Sequence, residues 1–233
     1  MLFKVFPDED SVAAAAASII AGKARVAVEE RGRFILAVSG GKTPWKMLSA
    51  LAGQDVPWRY THVIQVDERV APEADPDRNL THLEKCLLEN SPIAKENIHP
   101  MPVDRDDLGS GILQYALILH EIAGTPPVID LVHLGLGLDG HTASLVPGDP
   151  VLELTYQDVA LTEAYQGRRR MTLTYPMLNR SRNILWLVTG SDKATILMKL
   201  QDGDPSLPAS KVRRDRVIVL ADEAAAKQLR RQK

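Results

Sequence analysis

Residues 129–148 constrain the fold most. They read Ile-Asp-Leu-Val-His-Leu-Gly-Leu-Gly-Leu-Asp-Gly-His-Thr-Ala-Ser-Leu-Val-Pro-Gly. The apolar run from Ile129 to Leu134, bounded by Pro127 and Gly135, suits a buried strand. Gly135, Gly137 and Gly140 then make a turn in which backbone can approach a ligand, because a residue without a Cβ accepts positive φ. An open α/β sheet binds its ligands there, beyond the carboxyl end of a strand. His141 is the first side chain after the turn that exchanges a proton near neutral pH. The spacing Gly-x-Gly-x-x-Gly also fits a dinucleotide fingerprint. That motif belongs at the first strand and opens a long helix, whereas Pro147 and Gly148 interrupt the chain here. A plain strand-to-helix turn with an exposed or capping His141 is the bland alternative, and the rest of the chain has to decide.

A similar construction occurs earlier. Phe34-Ile-Leu-Ala-Val38 is a β-rich run leading into Ser39-Gly40-Gly41-Lys42-Thr43-Pro44, and Trp45 to Leu51 has apolar helical spacing. Strand, glycine turn, hydroxyl residues and a proline at a helix start make an anion site, since free N–H groups and the helix dipole face the turn. The spacing is not that of a nucleotide-binding P-loop, so a single phosphate group is the better match. A second strand, His62 to Val66, runs into Asp67-Glu68-Arg69. Unpaired buried charge is costly, which puts these three at a site or its rim unless they form a structural ion pair or cap. Arg168-Arg169-Arg170 precedes the β-like Met171 to Thr174. A basic triplet is usually solvated, but one guanidinium facing inward would suit an oxyanion or phosphate. After the apolar run Ile184 to Val188, Lys193 falls in the first turn of a helix reaching about Leu200. A cation there opposes the helix dipole, which hints at a bound anion.

The remaining segments frame these. An alanine-rich helix capped by Asp10 or Ser11 ends near Arg31-Gly32, its alanines serving close packing. Ala71 to Asp77 is a loop, Asn79 to Leu88 a helix, and 89–106 a polar connection. Asp107 to Ile122 is a helix, Val151 to Thr162 is irregular or β, Val217 to Leu220 is the last strand, and Asp222 opens a C-terminal helix. With 233 residues the chain suits one large α/β domain spanning 1–233. A formal net charge of -2 excludes a bulk polyanion surface, so no nucleic-acid partner is expected. Cys86, the only cysteine, excludes an internal disulfide, fits a reducing cytoplasm and suits a core position on a helix. No run approaches a membrane span, and acidic residues near the start argue against a secretory signal.

Taken together, the motifs resemble a known family. Ser39 to Pro44, Asp67 to Arg69, Gly135 to Gly148, Arg170 to Thr174, Gly190 to Lys193 and Pro208-Ala-Ser210 occur in the order seen in 6-phosphogluconolactonases, and the likeness spans the chain. Arg78 departs from the pattern, where serine is common before the asparagine matched by Asn79. Val146 is another departure, where phenylalanine is usual. The resemblance implies a Rossmann-like, doubly wound α/β fold with a mostly parallel sheet. It implies hydrolysis of 6-phospho-D-glucono-1,5-lactone in the pentose phosphate pathway, with no metal and no organic cofactor.

The residues make chemical sense of that reaction. His141 would be the base that activates water. Asp67 would orient His141 or the water, and Arg69 would offset the oxyanion or contact phosphate. Ser39, Gly40, Gly41, Lys42, Thr43, Arg170 and Lys193 would hold the phosphate, with Gly137, Asp139 and Gly140 forming the substrate-facing turn. The expected partner is a small sugar-phosphate lactone, and the expected state a monomer or weak homo-oligomer. Related glucosamine-6-phosphate isomerases/deaminases share the Ser-Gly-Gly and Asp-Gly-His elements, but carry an Asn-Glu-Pro-like continuation where this chain has Ser144-Leu-Val-Pro147. A non-enzymatic sugar-phosphate-binding protein is a third class, which would normally add a DNA-binding module.

Overall fold

Both faces of the central strands are apolar, and this decides the layering. In β2 (Phe34–Val38) every residue is buried. Phe34, Leu36 and Val38 join one core with Ala16, Ile20, Met47 and Leu48, while Ile35 and Ala37 join another with Tyr115, Leu119 and Trp186. Because strand side chains alternate between faces, such a strand must lie between two layers of helix. The computed structural model, which describes residues 1–230, has that architecture.

Among the described residues seven parallel strands form the main sheet, in the order β1, β10, β9, β6, β2, β3, β5. They are β1 (Leu2–Phe6), β2, β3 (Thr61–Gln65), β5 (Ile98–His99), β6 (Leu131–Gly135), β9 (Asn183–Val188) and β10 (Val217–Asp222). A separate antiparallel ribbon joins β4 (Asp67–Arg69), β8 (Arg170–Leu173) and β7 (Val159–Leu161). One face of the sheet carries α1 (Glu9–Arg31), α2 (Lys42–Ala52) and α3 (Asn79–Cys86). The other carries α4 (Leu108–Ala123), α5 (Tyr175–Arg180) and α6 (Ala194–Asp202). From β2 the chain steps outward to β3 and β5, then returns to β6 on the other side of β2 and steps outward again through β9 and β10. This is a doubly wound sheet whose order reverses between β2 and β6, where ligands bind in such folds.

Several sequence expectations need correction. β1 was not expected at all; its Leu2 and Val5 are half-exposed on an edge strand, so the alternation is weak. Asp8, not Asp10 or Ser11, caps α1, accepting from the Ser11 amide at 2.7 Å. By length and composition α1 could cross a bilayer, contrary to the expectation that no run approaches a span. It is a core helix here, burying Val12, Ala13, Ala16, Ala17, Ile20, Ala21, Ala24 and Ala27. The 89–106 connection contains β5, which pairs with β3 through Val63 and Ile64. Asp222 does not open an α-helix. It ends β10, accepts from the Gly190 and Ala225 amides, and is followed by a short 3-10 turn, Ala225–Gln228. Cys86 ends α3 half-buried against the α1 and α2 core.

Three histidines make this fold acid-sensitive. His133 on β6 is fully buried, accepts from the Ser39 amide at Nδ1, and is driven down to about 3 by burial. His62 and His99 are hydrogen-bonded at 3.0 Å; burial lowers His62 and drives His99 down to about 4. For a histidine whose folded value is depressed, the unfolded chain binds protons first, so its contribution is complete above an ordinary pKa of about 6.5 and is lost as pH falls. The urea midpoint is therefore expected to decline steadily from pH 7 to pH 4. His133→Gln should shallow that decline, which parallel urea titrations of parent and variant would show.

Candidate active site

β2 and β6 pair over a short register, Leu36 with Leu131 and Ala37 with Val132, and then lead to separate loops. The crevice this leaves is a cavity of about 680 Å³. Ser39 to Pro44 line it from the end of β2, Gly135 to Asp139 and His141 from the end of β6, Thr189, Gly190, Asp192 and Lys193 from the end of β9, and Asp67, Arg69 and Arg170 from the ribbon. All thirteen sequence-predicted site residues except Gly140 line this one space.

Of the two roles expected of Asp67, orienting His141 or the water, the first is not made by a hydrogen bond, since His141 pairs with Asp139. Gly137 and Gly140 close a turn, Gly140 N donating to Gly137 O at 3.1 Å with Gly140 at φ 83°, and this swings Asp139 back under the imidazole. The Asp139 Oδ1 atom accepts from His141 Nδ1 at 2.5 Å and from the His141 amide at 3.2 Å. A carboxylate at Nδ1 fixes the proton there and leaves the lone pair on Nε2. Partial burial opposes ionisation of Asp139, but the His141 charge and hydrogen bonds from His141 and Tyr165 outweigh it and hold the carboxyl below its ordinary value. Gly137 is required for space. A Cβ there would stand 2.1 Å from His141 Nδ1 and 2.7 Å from Asp139 Oδ1.

Asp67 has a different partner. Its Oδ2 accepts from Ser144 Oγ at 2.6 Å, and the Ser144 amide donates to Thr172 Oγ1 on β8. Asp67 thereby ties the loop after His141 to the ribbon. Strand alternation separates the three residues of the Asp-Glu-Arg motif. Asp67 and Arg69 face the cavity, their register partners Thr172 and Arg170 beside them. Glu68 points the other way, fully buried, and accepts from the Asn79, Leu80 and Arg69 amides and from Gln65 Nε2, each within 2.8 Å. It caps the start of α3 instead of serving a site. Arg78 lies 3.5 Å from Glu68 and is buried beside it, so this departure from the family pattern supports the loop and leaves the cavity wall to Asn79.

Cations gather where anions are wanted. Arg69 and Arg170 are cross-strand neighbours, an arrangement that repels unless an anion joins them. Burial lowers Arg170 from its ordinary value, Asp67 partly restoring it. Lys193 precedes α6 and donates from Nζ to Leu136 O at 2.8 Å; burial lowers it also, with Asp192 and Asp139 opposing. α2 starts at Lys42, earlier than expected, with Gly41 as an N-cap that gives no side-chain bond, so its first amides face the cavity. The hydroxyls of that turn are already engaged. Ser39 donates to His133 O, and Thr43 shares bonds with Glu9 and Thr189. Amides and cations, not those hydroxyls, are the donors free for a ligand. Lys42 is largely exposed, 3.9 Å from Glu9. Among the described residues no set of three His, Cys, Asp or Glu side chains could hold a metal ion.

Sequence reasoning missed Glu9, Asn79, Tyr165, Gln166 and Asp222, all on the cavity wall. The pair Gln166-Gly167 before the basic triplet was a usable turn signal for Tyr165 and Gln166.

The family model of glucosamine-6-phosphate isomerases/6-phosphogluconolactonase matches residues 7–220. The 6-phosphogluconolactonase of Synechocystis sp. is 38% identical over 88% of each chain, and that of Mycobacterium tuberculosis is 35% identical over 97% of each. The solved 6-phosphogluconolactonase of Thermotoga maritima superposes with a TM-score of 0.83 at 26% identity, covering 95% of this chain and 98% of that one. A monomeric glucosamine-6-phosphate deaminase superposes with a TM-score of 0.85 at 19% identity, which is a likeness of fold.

The Glu68 hub generates a stability test. Glu68→Ala would leave Arg78 with the partly exposed Asp104, 3.8 Å away, as its charged neighbour and the α3 amides unpaired, and breaking such a buried pair costs about 3–5 kcal/mol. Urea unfolding is expected to show a loss of that order, and a loss under 1 kcal/mol would show that water replaces Glu68 there.

Proposed function

This chain belongs to the glucosamine-6-phosphate isomerase/6-phosphogluconolactonase family, and we propose a division of labour in its site for a lactonase, which hydrolyses 6-phospho-D-glucono-1,5-lactone to 6-phospho-D-gluconate in the pentose phosphate pathway. The observation that carries the mechanism is the hydrogen bond from His141 Nδ1 to Asp139 inside the cavity. With the proton held on Nδ1, Nε2 takes a proton from water as it attacks the lactone carbonyl. Asp139 orients the ring and stabilises the imidazolium that forms. The carbonyl oxygen gains negative charge in that step, and Arg69 offsets it. The proton on Nε2 is then returned to the ring oxygen as the acyl C–O bond breaks, so that one group serves as base and acid.

The substrate's phosphate is an anion that these amides and cations can bind. We assign it to the α2 amides of the Ser39 to Thr43 turn, to Lys193 and to Arg170. Two partly desolvated cations support this assignment, since a dianion would compensate the lost hydration. Asp67 positions the loop through Ser144 and borders the space for water. The mechanism asks for no organic cofactor or metal. On the same interpretation the protein acts in the cytoplasm as one domain, monomeric or weakly self-associated, with neither nucleic acid nor membrane as partner.

A deaminase of the same fold must open an amino sugar and move a proton between neighbouring carbons. At Ser144 this chain has a hydroxyl already committed to Asp67, which favours the simpler reaction. Purified protein should accelerate 6-phosphogluconolactone hydrolysis above an enzyme-free control at equal pH and buffer, and release no ammonia from glucosamine 6-phosphate. Ammonia release without lactone acceleration would replace this assignment with the deaminase. His141→Ala should lower kcat by roughly 10²–10⁴-fold in a folded protein. Near-normal turnover would remove His141 from the role of base.

The phosphate assignment has its own test. Lys193→Ala or Arg170→Ala should cost about 1.5–3 kcal/mol in kcat/KM for the phosphorylated lactone, the range for a hydrogen bond to a charged group. Glucono-δ-lactone should be a poor substrate of the parent and nearly indifferent to either change. Equal losses on both lactones would mean that these cations serve the fold or the reacting carbonyl.

A further inference from the structure

Tyr165 sits on a hairpin whose geometry leaves little freedom. Its amide donates to Arg168 O at 3.0 Å and the Arg168 amide donates to Tyr165 O at 3.3 Å, closing a two-residue loop. The loop residues Gln166 and Gly167 have φ of 52° and 81°, both left-handed, as a type I′ turn requires. Arg168 pins the loop from outside through Asp75 and Asp77, each at 3.1 Å. The result is a tyrosine presented to the cavity by a rigid tip rather than by a mobile loop.

Each side of the Tyr165 ring meets a group of the proposed mechanism. Its hydroxyl donates to Asp139 Oδ2 at 3.0 Å, the oxygen that His141 does not use. Its edge meets the His141 ring at 5.6 Å between centroids, and Arg170 lies over its face at 5.0 Å. The neighbouring Gln166 Oε1 accepts from Arg170 Nη2 at 3.3 Å. The charged groups acting on Asp139 are therefore His141, Arg170 and Lys193, with the Tyr165 hydroxyl as its neutral donor.

We infer that Tyr165 is a positioning residue for the reaction, holding Asp139 by its second oxygen so that His141 stays aimed into the cavity. The inference rests on His141 being the base, as proposed above. A carboxylate held at one oxygen only can rotate and carry the imidazole with it; held at both, it cannot. The hydroxyl also draws charge from Asp139. Without it the carboxylate pulls harder on the Nδ1 proton and favours the imidazolium, so neutral base is lost at higher pH.

Tyr165→Phe tests this while keeping the ring, its contact with His141 and its face toward Arg170. In the protein kcat should fall about three- to tenfold, the worth of a typical single hydrogen bond. KM should stay within about twofold, because the phosphate contacts are untouched. The acid limb of the kcat/KM profile should move to higher pH. The His141 ring resonance, identified by its loss in His141→Ala, should shift its titration in proton NMR in the same direction. A rise in KM with the limb and the titration unmoved would make the hydroxyl a substrate contact and overturn the inference. So would parental kinetics and titration in Tyr165→Phe. Because the NMR titration does not depend on turnover, failure here is distinguishable from a failure of His141 as base, which full activity in His141→Ala would reveal.

Discussion

The brief pairing of β2 with β6 is the constraint on which the site depends. Their short register ends before the carboxyl end of β2, and each strand then turns into a glycine-rich loop on its own side. No side chain has to be removed to make room for a ligand, because the topology itself opens the crevice. The same divergence aims the α2 amino terminus at the opening, and it brings Lys193 across from the end of β9 to the carbonyl of Leu136. Amide dipoles and cations from separate parts of the chain converge there.

Convergence of like charge has a cost that the fold manages by pairing. Arg69 and Arg170 face each other across the ribbon, and Asp67 moderates them from the same face. Asp139 stays ionised in partial burial because His141 and Tyr165 supply its partners. Glu68, one residue from Asp67, is satisfied on the opposite face by amides of α3 and by the Arg78 guanidinium. Successive residues of one short strand thus face the cavity and the architecture behind it, because a strand turns alternate side chains to opposite sides.

Of the residues expected at the site, those identified by backbone requirements line the cavity, Gly140 excepted. Strand, glycine turn and helix start in Phe34 to Leu51, and strand and turn in Ile129 to His141, are local patterns that burial and positive φ dictate. Contacts between side chains were placed less well. Asp67 was expected to orient His141 or the water, and its side-chain hydrogen bond is to Ser144, a residue 77 positions away. Ser39 and Thr43 were expected to offer hydroxyls to a ligand, yet both are spent on inner partners. Glu68 shared the site expectation of its neighbours, although the period of a strand would have turned it away. Asp222 was expected to begin a helix and instead fastens Gly190 at the cavity edge.

What the sequence by itself determined was the layered α/β fold and the loops that line the cavity. These follow from two-faced apolar strands and from glycines at strand ends, which are properties of short segments. What only the tertiary structure decided was the partner of each charged group. That depends on ribbon register, which set Arg170 beside Arg69, and on the turn at Gly140, which brought Asp139 rather than Asp67 under His141. It depends also on a hairpin tip that delivered Tyr165 across 26 positions to the same carboxylate. Hydrogen-bond partners are fixed by distances of a few tenths of an ångström between segments far apart in the chain, and no periodicity within a segment encodes them.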